Sequence, residues 1–315
     1  MSPLSQITLR TPATSANLGP GFDVFGLALE QPNDIVTLSL LPSGIKIKVR
    51  GLQSETISTV PERNTAGVVA NQMIKEFSLK VGLMISIEKG ICPSRGLGSS
   101  AASAAAVAYG INKMFDLKLS NEQLVRLAAK GEVASAGTEH ADNVSATICG
   151  DFVILKSYNP VEIIHLKAPA DMEICAAYAH MVTPRHKTER ARAVLPREVS
   201  LEKLVRNVGN AAAMVSGFAT GDVDLIGRSM VDAIAEPARS PLIPGYQQVR
   251  TKALEAGACG VTISGAGPAM LAVVNKKNAS SQKVAAAMKE GFMEVGFQST
   301  AYATRAGRGV GPLEK

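Results

Sequence analysis

Apolar and polar positions along the first ninety residues predict a series of short strands. Gln6 to Arg10, Asp34 to Leu40 and Ile45 to Val49 either alternate apolar with polar side chains or carry runs of β-branched residues, and Leu83 to Lys89 repeats the pattern. Turn-forming Pro, Ser and Gly residues separate these segments. The N-terminal part of the chain is therefore predicted to build a sheet.

Helical patterns follow the fourth of these strands. Ser99 to Ala108 consists almost entirely of Ala and Ser, a composition that favours a helix and permits close packing. Ser120 and Gln123 form a capping box, which predicts that a second helix begins there. One face of this second helix carries Leu124, Leu127, Ala128 and Ala134.

The second half of the chain mixes strands with longer helices. Asp151 to Lys156 and Glu162 to Leu166 read as strands, and Asn159-Pro160 between them predicts a hairpin or a crossing between domains. Ser200 is a predicted N-cap for a helix with the apolar stripe Leu201, Leu204, Val205, Val208, Ala211, Ala212 and Val215. The remaining predictions are strands at 172–178, 261–264, 269–274 and 299–304 and helices at 247–256 and 282–290.

This alternation predicts an α+β protein in which helices cover one face of a sheet. At 315 residues the chain has the length of about two domains of 150 residues. We place the boundary so that residues 1–165 form an N-terminal domain and residues 166–315 a C-terminal domain.

Composition excludes several classes of protein. The chain is 46% hydrophobic and 19% charged, which fits neither a disordered nor a fibrous protein. No apolar run approaches the roughly 18 to 20 residues that span a bilayer, and the first ten residues lack the pattern of a secretory signal. The four cysteines are scattered singly, without the spacing of a metal site or a disulfide framework. We expect a cytoplasmic protein without a membrane partner.

The net charge of 33 − 27 = +6 is compatible with binding of nucleic acid or of small anions. Only 4% of the residues are aromatic, and the Lys and Arg residues are dispersed. The stacking surfaces expected of a single-strand binder are therefore missing, and we expect small anions rather than nucleic acid.

A glycine-rich segment between the predicted strand ending at Lys89 and the Ala-rich helix is typical of a phosphate-binding loop. Two glycines permit close approach of the backbone to an anion, and the helix that follows directs free N–H groups and a positive dipole end at it. The segment matches neither a Walker loop nor a Rossmann fingerprint, and a simple turn with a helix cap is the alternative. Its residues are Pro93, Ser94, Arg95, Gly96, Leu97, Gly98, Ser99, Ser100, Ala101, Ala102 and Ser103.

Two further glycine-rich turns accompany this loop, at Thr14 to Asp23 and at Ser264 to Pro268. The three segments, in this order and spacing, resemble the three signature motifs of the GHMP kinases, and the middle one matches the family form P-x-x-x-G-L-G-S-S-A. The resemblance covers essentially the whole chain. It implies a two-domain GHMP kinase fold, with an N-terminal domain like ribosomal protein S5 domain 2 and a ferredoxin-like C-terminal domain.

Other segments resemble the homoserine kinase branch of this family. They are Ala13 to Asp23, Gly137 to Val144, Thr183 to Arg185, Ala191 to Pro196 and Glu236 to Arg239. The resemblance implies ATP-dependent phosphorylation of the hydroxyl of L-homoserine, in threonine biosynthesis, by a homodimer.

The resemblance also implies roles for individual residues. Arg185 and Arg239 are candidates for the substrate carboxylate, because a guanidinium binds it through two parallel hydrogen bonds. Asp23, with Asn17 nearby, suits the ammonium group. His140 is at most an orienting residue, and we expect His140, Asp142 and Asn143 in a turn just before a strand.

ATP and Mg²⁺ are the implied co-substrate and metal ion. Glu132 resembles the family's Mg²⁺ carboxylate, with Ser99 or Ser100 as a second ligand, and Asn64 resembles the residue that meets the adenine edge. Asp142 aligns with a general base of related kinases. We favour direct attack by a substrate hydroxyl that Asn143 orients, without an obligatory base.

Two alternatives stay open at the level of sequence. Another GHMP kinase of the mevalonate or shikimate type also acts on a carboxylate-bearing alcohol, although neither of those substrates has an ammonium group for Asp23. A catalytically silent protein that binds a nucleotide or an amino acid is the other alternative. The intact Gly96, Gly98, Ser99, Ser100 and Glu132 argue against it.

Overall fold

A computed structural model of the protein describes residues 4–136, 141–182 and 187–314, and the side chains of all of these except 133–136. The first sheet has seven strands, in the order β11-β1-β2-β4-β3, with β5 paired to β2 and β6 paired to β5. Its strands are β1 (Gln6–Asn17), β2 (Gly21–Leu41), β3 (Ile45–Gly51), β4 (Gly82–Lys89), β5 (Phe152–Tyr158), β6 (Val161–Leu166) and β11 (Gly311–Pro312).

The second sheet is a four-stranded antiparallel sheet in the order β10-β7-β9-β8. Its strands are β7 (Met172–Ala179), β8 (Gly260–Ile263), β9 (Met270–Asn275) and β10 (Ser299–Arg305). Helices separate the first strand from the second and the third from the fourth, which gives the β-α-β-β-α-β succession of a ferredoxin-like unit. Two sheets with their helices give the α+β architecture predicted from the sequence.

Ten helices are present in the described ranges, together with short 3₁₀ turns at Ser54–Thr56, Pro61–Arg63 and Ser240–Leu242. They are α1 (Thr65–Glu76), α2 (Ser99–Met114), α3 (Asn121–Ala136), α4 (Ala141–Cys149), α5 (Lys187–Ala193), α6 (Leu201–Thr220), α7 (Val223–Arg228), α8 (Ala235–Arg239), α9 (Tyr246–Glu255) and α10 (Ser281–Glu294). Along the described chain no helix is both long and apolar enough to cross a membrane.

The Ala-rich helix α2 lies at the centre of the first half of the molecule. It packs against α1, α3, α4 and β1, and most of its side chains are buried. Small side chains make this possible: a Cβ on Gly110 would lie 2.4 Å from Cδ1 of Leu38. Helix α2 is therefore closely packed within the core.

A second core joins the two sheets. It contains residues of β2, β5, β7 and β9 together with α6, and the rings of Phe152 and Phe218 stack at 3.9 Å between centroids. This shared core fixes the relation between the two halves of the chain at the place where the glycine-rich segments meet.

Two predictions of local structure are wrong. Thr14 to Asp23 is not a long turn, because β1 continues to Asn17 and β2 begins at Gly21. Asp142 and Asn143 do not lie in a turn before a strand; they lie in the first turn of the helix α4. The hairpin predicted at Asn159-Pro160 is correct, since β5 and β6 pair antiparallel on either side of it.

Candidate active site

The three glycine-rich segments line one large cavity. Its volume is about 1320 Å³, and residues of all three segments contribute to its wall. The side-chain hydroxyl of Ser264 lies 2.8 Å from the hydroxyl of Ser15 and 2.7 Å from the carbonyl oxygen of Gly96. The third segment thus ties the first and second together.

Backbone contacts reinforce this junction. The amide of Gly265 donates to the carbonyl of Ala16 at 3.1 Å, and the amide of Thr14 donates to the carbonyl of Leu97 at 3.1 Å. The side chain of Asn17 donates to the carbonyl of Gly265 at 2.9 Å and accepts from the amide of Asp23 at 3.0 Å. Asn17 therefore lies at the edge of the cavity as a link between two loops.

The glycines of the phosphate-binding loop are required by these loop contacts as well as by their backbone angles. Gly96 and Gly98 have φ values of +84° and +66°. A Cβ on Gly96 would lie 2.4 Å from the carbonyl oxygen of Ser264, and a Cβ on Gly98 would lie 1.9 Å from Oγ1 of Thr14. The groups that approach the backbone of Gly96 and Gly98 closely are therefore neighbouring parts of the protein itself.

The predicted phosphate-loop residues divide into two groups. Eight of them line the cavity: Pro93, Ser94, Arg95, Gly96, Gly98, Ser99, Ser100 and Ser103. Leu97, Ala101 and Ala102 are buried in the hydrophobic cores and anchor the loop and the first turn of α2. The first amides of α2 have no partner within the helix, which is the arrangement that suits a phosphate group.

A buried ion pair closes the two ends of this loop. Lys89, at the end of β4, donates to Asp34 of β2 and to the carbonyl oxygen of Ser99, the latter at 2.9 Å. Asp34 also accepts from the amides of Gly90 and Ile91, both at 2.9 Å. The pair therefore connects the residues that precede the loop with Ser99 at its end, and both side chains are buried.

The predicted metal ligands fit a magnesium ion. Glu132 is buried beside the amino end of α2, and its carboxylate accepts from the Ser100 hydroxyl at 3.0 Å. Burial raises the pKa of Glu132 to about 7, so a nearby cation would favour its charged form. One carboxylate, a hydroxyl and nucleotide phosphates are a donor set that Mg²⁺ prefers. The Ser99 hydroxyl donates instead to the carbonyl of Ile91, at 3.1 Å.

Asn64 is the N-cap of α1 and lines the cavity. Its side-chain oxygen accepts from the amide of Ala66 at 3.0 Å, and its side-chain nitrogen donates to the carbonyl of Ser58 at 2.6 Å. One N–H and one lone pair of this amide are left for another partner. The cap fixes the side chain at the wall of the cavity.

Asp142 and Asn143 lie beside the phosphate loop. The Asp142 carboxylate accepts from the backbone amide of Asn143 at 2.7 Å and from its side-chain nitrogen at 3.2 Å, while Oδ1 of Asn143 accepts from the Thr14 hydroxyl at 2.8 Å. Burial, and next the charge of Asp23, raise the pKa of Asp142 to about 6. The Asn143 side chain is thereby held in one orientation.

A group of opposite charges lies at the cavity, whose wall includes Asp23 and Arg239. The Arg192 guanidinium lies 2.7 Å from Oδ2 of Asp23, and Arg239 is buried, donating to the carbonyl oxygens of Ala191 and Gly265. The guanidinium carbons of the two arginines lie 5.4 and 5.1 Å from the ring centre of Phe22. Two cations and a carboxylate thus converge around one aromatic ring.

Two predicted site residues, His140 and Arg185, lie outside the described residues. Arg192, which contacts Asp23, is not among the predicted site residues, although its segment Ala191 to Pro196 carries part of the family resemblance. Its chemical type was a usable signal, because the same reasoning that selected Arg239 for a carboxylate applies to it. Its position opposite Asp23 depends on the packing of α5 and has no local sequence signal.

Comparison with known proteins places both halves of the chain. Residues 64–151 match the family model described as GHMP kinases N terminal domain, and residues 214–292 match that described as GHMP kinases C terminal. The chain is 43% identical to a homoserine kinase of Methanococcus vannielii over 308 residues, which are 97% of this chain and 98% of that relative.

Solved structures show the same fold. A crystal structure of homoserine kinase from Cytophaga hutchinsonii superposes with a TM-score of 0.91, at 36% identity and 99% coverage of both chains. The mevalonate kinase of L. major, solved with R-mevalonate, has a TM-score of 0.69 at 16% identity, with coverage of 97% of this chain and 99% of that one. The second likeness concerns the fold alone.

Proposed function

The chain belongs to the GHMP kinase family, and on that premise we propose that it transfers the γ-phosphoryl group of ATP to the side-chain hydroxyl of L-homoserine. Relatives that are 41–45% identical over nearly the whole chain carry the name homoserine kinase, which supports this assignment. The product would be O-phospho-L-homoserine, on the route to threonine.

The observation that carries the choice of acceptor is the pairing of Asp23 with Arg192 beside the buried Arg239. An amino acid acceptor is a zwitterion, with an ammonium and a carboxylate group. It would divide the ion pair, placing its ammonium on Asp23 and its carboxylate on the two guanidinium groups. Mevalonate and shikimate have no ammonium group, so they would leave Asp23 without a cation from the substrate.

The phosphate loop and α2 supply the other half of the reaction. Amides at the start of α2 would bind the ATP phosphates, and Asn64 would face the base. Glu132 and Ser100 would hold Mg²⁺, which neutralises charge on the β- and γ-phosphates when bound. Asp34 and Lys89 would keep the loop in the shape that this binding requires.

Asn143 lies next to Gly98, between the proposed phosphate site and the proposed acceptor site. Its remaining side-chain N–H can bind the acceptor hydroxyl or the transferred phosphoryl group, and its orientation is fixed by Asp142 and Thr14. We therefore propose that Asn143 orients the hydroxyl for direct attack, with Asp142 as its support and not as an obligatory base.

Dependence of ATP consumption on both partners tests the assignment. We expect ADP release only when L-homoserine and Mg²⁺ are both present. ATP binding without any turnover on adding homoserine would indicate a silent binding protein, and turnover that is indifferent to homoserine would indicate another acceptor.

Two family expectations remain proposals. All four cysteines are free thiols, which supports a reducing compartment such as the cytoplasm. A homodimer is supported by Leu201, Leu204, Val205 and Val208, which share one face of α6 and are 45–73% exposed. Light scattering tests the homodimer, and a monomer mass at micromolar concentration would contradict it.

A further inference from the structure

Lys187 begins α5 and lines the cavity. Its ammonium group donates a hydrogen bond to the carbonyl oxygen of Gly267 in the third glycine-rich segment. That same carbonyl oxygen would lie 2.8 Å from a Cβ on Gly96 of the phosphate loop. The Lys187 ammonium is therefore separated from the phosphate loop by a single carbonyl group.

The charges around this ammonium are of its own sign. Arg239 lies on the acceptor side and Arg95 on the phosphate loop, and among the described residues no carboxylate is paired with Lys187. Burial, followed by these two guanidinium groups, lowers the pKa of Lys187 to about 7. A partly buried lysine that also feels the charge of two arginines is unfavourable for the folded protein unless an anion binds there.

The position of Lys187 defines which anion that is. Arg95 belongs to the loop that would hold ATP, and Arg239 belongs to the group that would hold the acceptor carboxylate. A phosphoryl group that passes from one to the other moves within the cavity that Lys187, Arg95 and Arg239 all line. In such a transfer the negative charge is spread over the equatorial oxygens of the phosphoryl group, and a preorganised cation stabilises it.

We propose that Lys187 is a catalytic residue whose ammonium contacts the phosphoryl group during transfer. This inference rests on the proposed function. In the transfer the acceptor oxygen forms a bond to the γ-phosphorus, and the bond from that phosphorus to the β,γ-bridging oxygen breaks, leaving its electron pair on ADP. The hydroxyl proton passes to a phosphoryl oxygen and then to solvent. Lys187 donates hydrogen bonds throughout and keeps its own proton.

A purely structural role is the competing explanation, in which Lys187 only fastens the Gly267 turn. The two roles predict opposite changes in stability. If Lys187 is a fastener, K187M lowers the melting temperature. If it is an unpaired cation held for the reaction, K187M removes an unfavourable charge and raises the melting temperature while activity falls.

The test compares wild type, K187M, K187R and, as a matched control, R190M, which changes an exposed residue of the same helix. We expect K187M to lower kcat about 10²- to 10³-fold, as removal of a transition-state donor does. We expect KM for ATP and for L-homoserine to stay within about threefold, K187R to retain more activity than K187M, and R190M to behave as wild type.

Binding of ADP with aluminium fluoride, a planar mimic of the phosphoryl group, gives a second readout that needs no turnover. We expect K187M to bind this pair about 10²-fold more weakly than wild type does and to bind ADP alone equally well. Unchanged kcat, unchanged binding of the mimic, or a fall in kcat together with a lower melting temperature would each overturn the inference.

Failure of the proposed function is recognised separately. In that case wild type itself does not phosphorylate L-homoserine. The role of Lys187 is then decided by the aluminium fluoride measurement, which requires no acceptor, and equal affinity of wild type and K187M would reject it.

Discussion

One guanidinium nitrogen of Arg192 donates to both carboxylate oxygens of Asp23, at 2.7 and 3.1 Å. The two residues are 169 positions apart in the chain and come from α5 and from the start of β2. Because both side chains of the pair are partly exposed, its own contribution to stability is small. Its two charges are instead available to a ligand that carries the opposite pair.

Substitution of Arg192 should therefore weaken binding of the acceptor and leave ATP binding intact. A charged hydrogen bond of this kind contributes about 1.5–3 kcal/mol, so we expect R192A to raise KM for L-homoserine about 10- to 100-fold. R190A, an exposed arginine on the same helix, is the control. Equal increases in KM for ATP and for homoserine would show that Arg192 supports the fold of the cavity and not the acceptor.

Substitution of Asp142 separates an orienting role from a base. D142N keeps an oxygen that accepts from the Asn143 amides, so we expect kcat to fall by less than about tenfold, whereas N143A should lose more. A general base contributes about 10²- to 10⁴-fold, and a loss of that size in D142N, with the fold intact, would identify Asp142 as the base. In that case the wild-type rate would also fall with acid through a pKa near 6, and the variant would lack this limb.

The same residue predicts a change of stability with pH. Its folded-state pKa of about 6 lies above the ordinary value of 3.8, so the folded protein holds the proton more tightly between these values. The cost of ionising Asp142 is absent below pH 4, grows from there to pH 6 and is complete above it. D142N should thus raise the melting temperature at pH 8 and have no such effect at pH 4. Equal melting temperatures at pH 8 would contradict this.

Gly96 tests the contact between the phosphate loop and the third segment. G96A would place a methyl group 2.4 Å from the carbonyl oxygen of Ser264 at a φ of +84°, and both features are unfavourable. We expect KM for ATP to rise at least tenfold and the protein to be less stable by about 1–3 kcal/mol. G209A is the control, since nothing lies within 4 Å of that site on an exposed helix face, and it should be neutral or stabilising. An unchanged KM for ATP in G96A would show that the contact between the phosphate loop and the third glycine-rich segment is not rigid.

The Asp34–Lys89 pair should be more important for stability than any exposed ion pair of the chain. Removal of one partner leaves an uncompensated buried charge, so we expect D34A or K89A to cost about 3–5 kcal/mol in urea unfolding. The exposed pair of Arg50 with Glu88 is the comparison, and R50A should cost less than about 1 kcal/mol. Similar losses of unfolding free energy at the two sites would show that the Asp34–Lys89 pair does not stabilise the loop.

Strong periodic patterns and loop chemistry made most of the fold predictable. The capping box at Ser120, the N-cap at Ser200 and the alternation in Leu83 to Lys89 are local signals, and each marks an element of the structure. Strand β2 was predicted only from Asp34 onward. Its first half contains Gly, Pro and Asp, and its extended form depends on pairing with β1 and β5.

The contacts that assemble the site depend on strand register and helix packing, for which no local pattern exists. Asp34 meets Lys89 because Ile35 of β2 pairs with Glu88 of β4, which brings the next residues together. Lys187 lines the cavity and Arg192 reaches Asp23 because α5 packs beside the third glycine-rich segment. Arg239 donates to the carbonyl oxygen of Ala191 in the same helix. The glycine motifs were visible in the sequence, but their packing on one another was not.

The specificity constant for different acceptors tests the central claim most directly. With saturating ATP and Mg²⁺, kcat/KM is measured for L-homoserine, for γ-hydroxybutyrate, which is the same acceptor without its ammonium group, and for mevalonate and shikimate. A site that pairs Asp23 with an ammonium group predicts that L-homoserine exceeds each of the others by at least about 100-fold. Equal or faster turnover of any acceptor that lacks an amine would contradict the account.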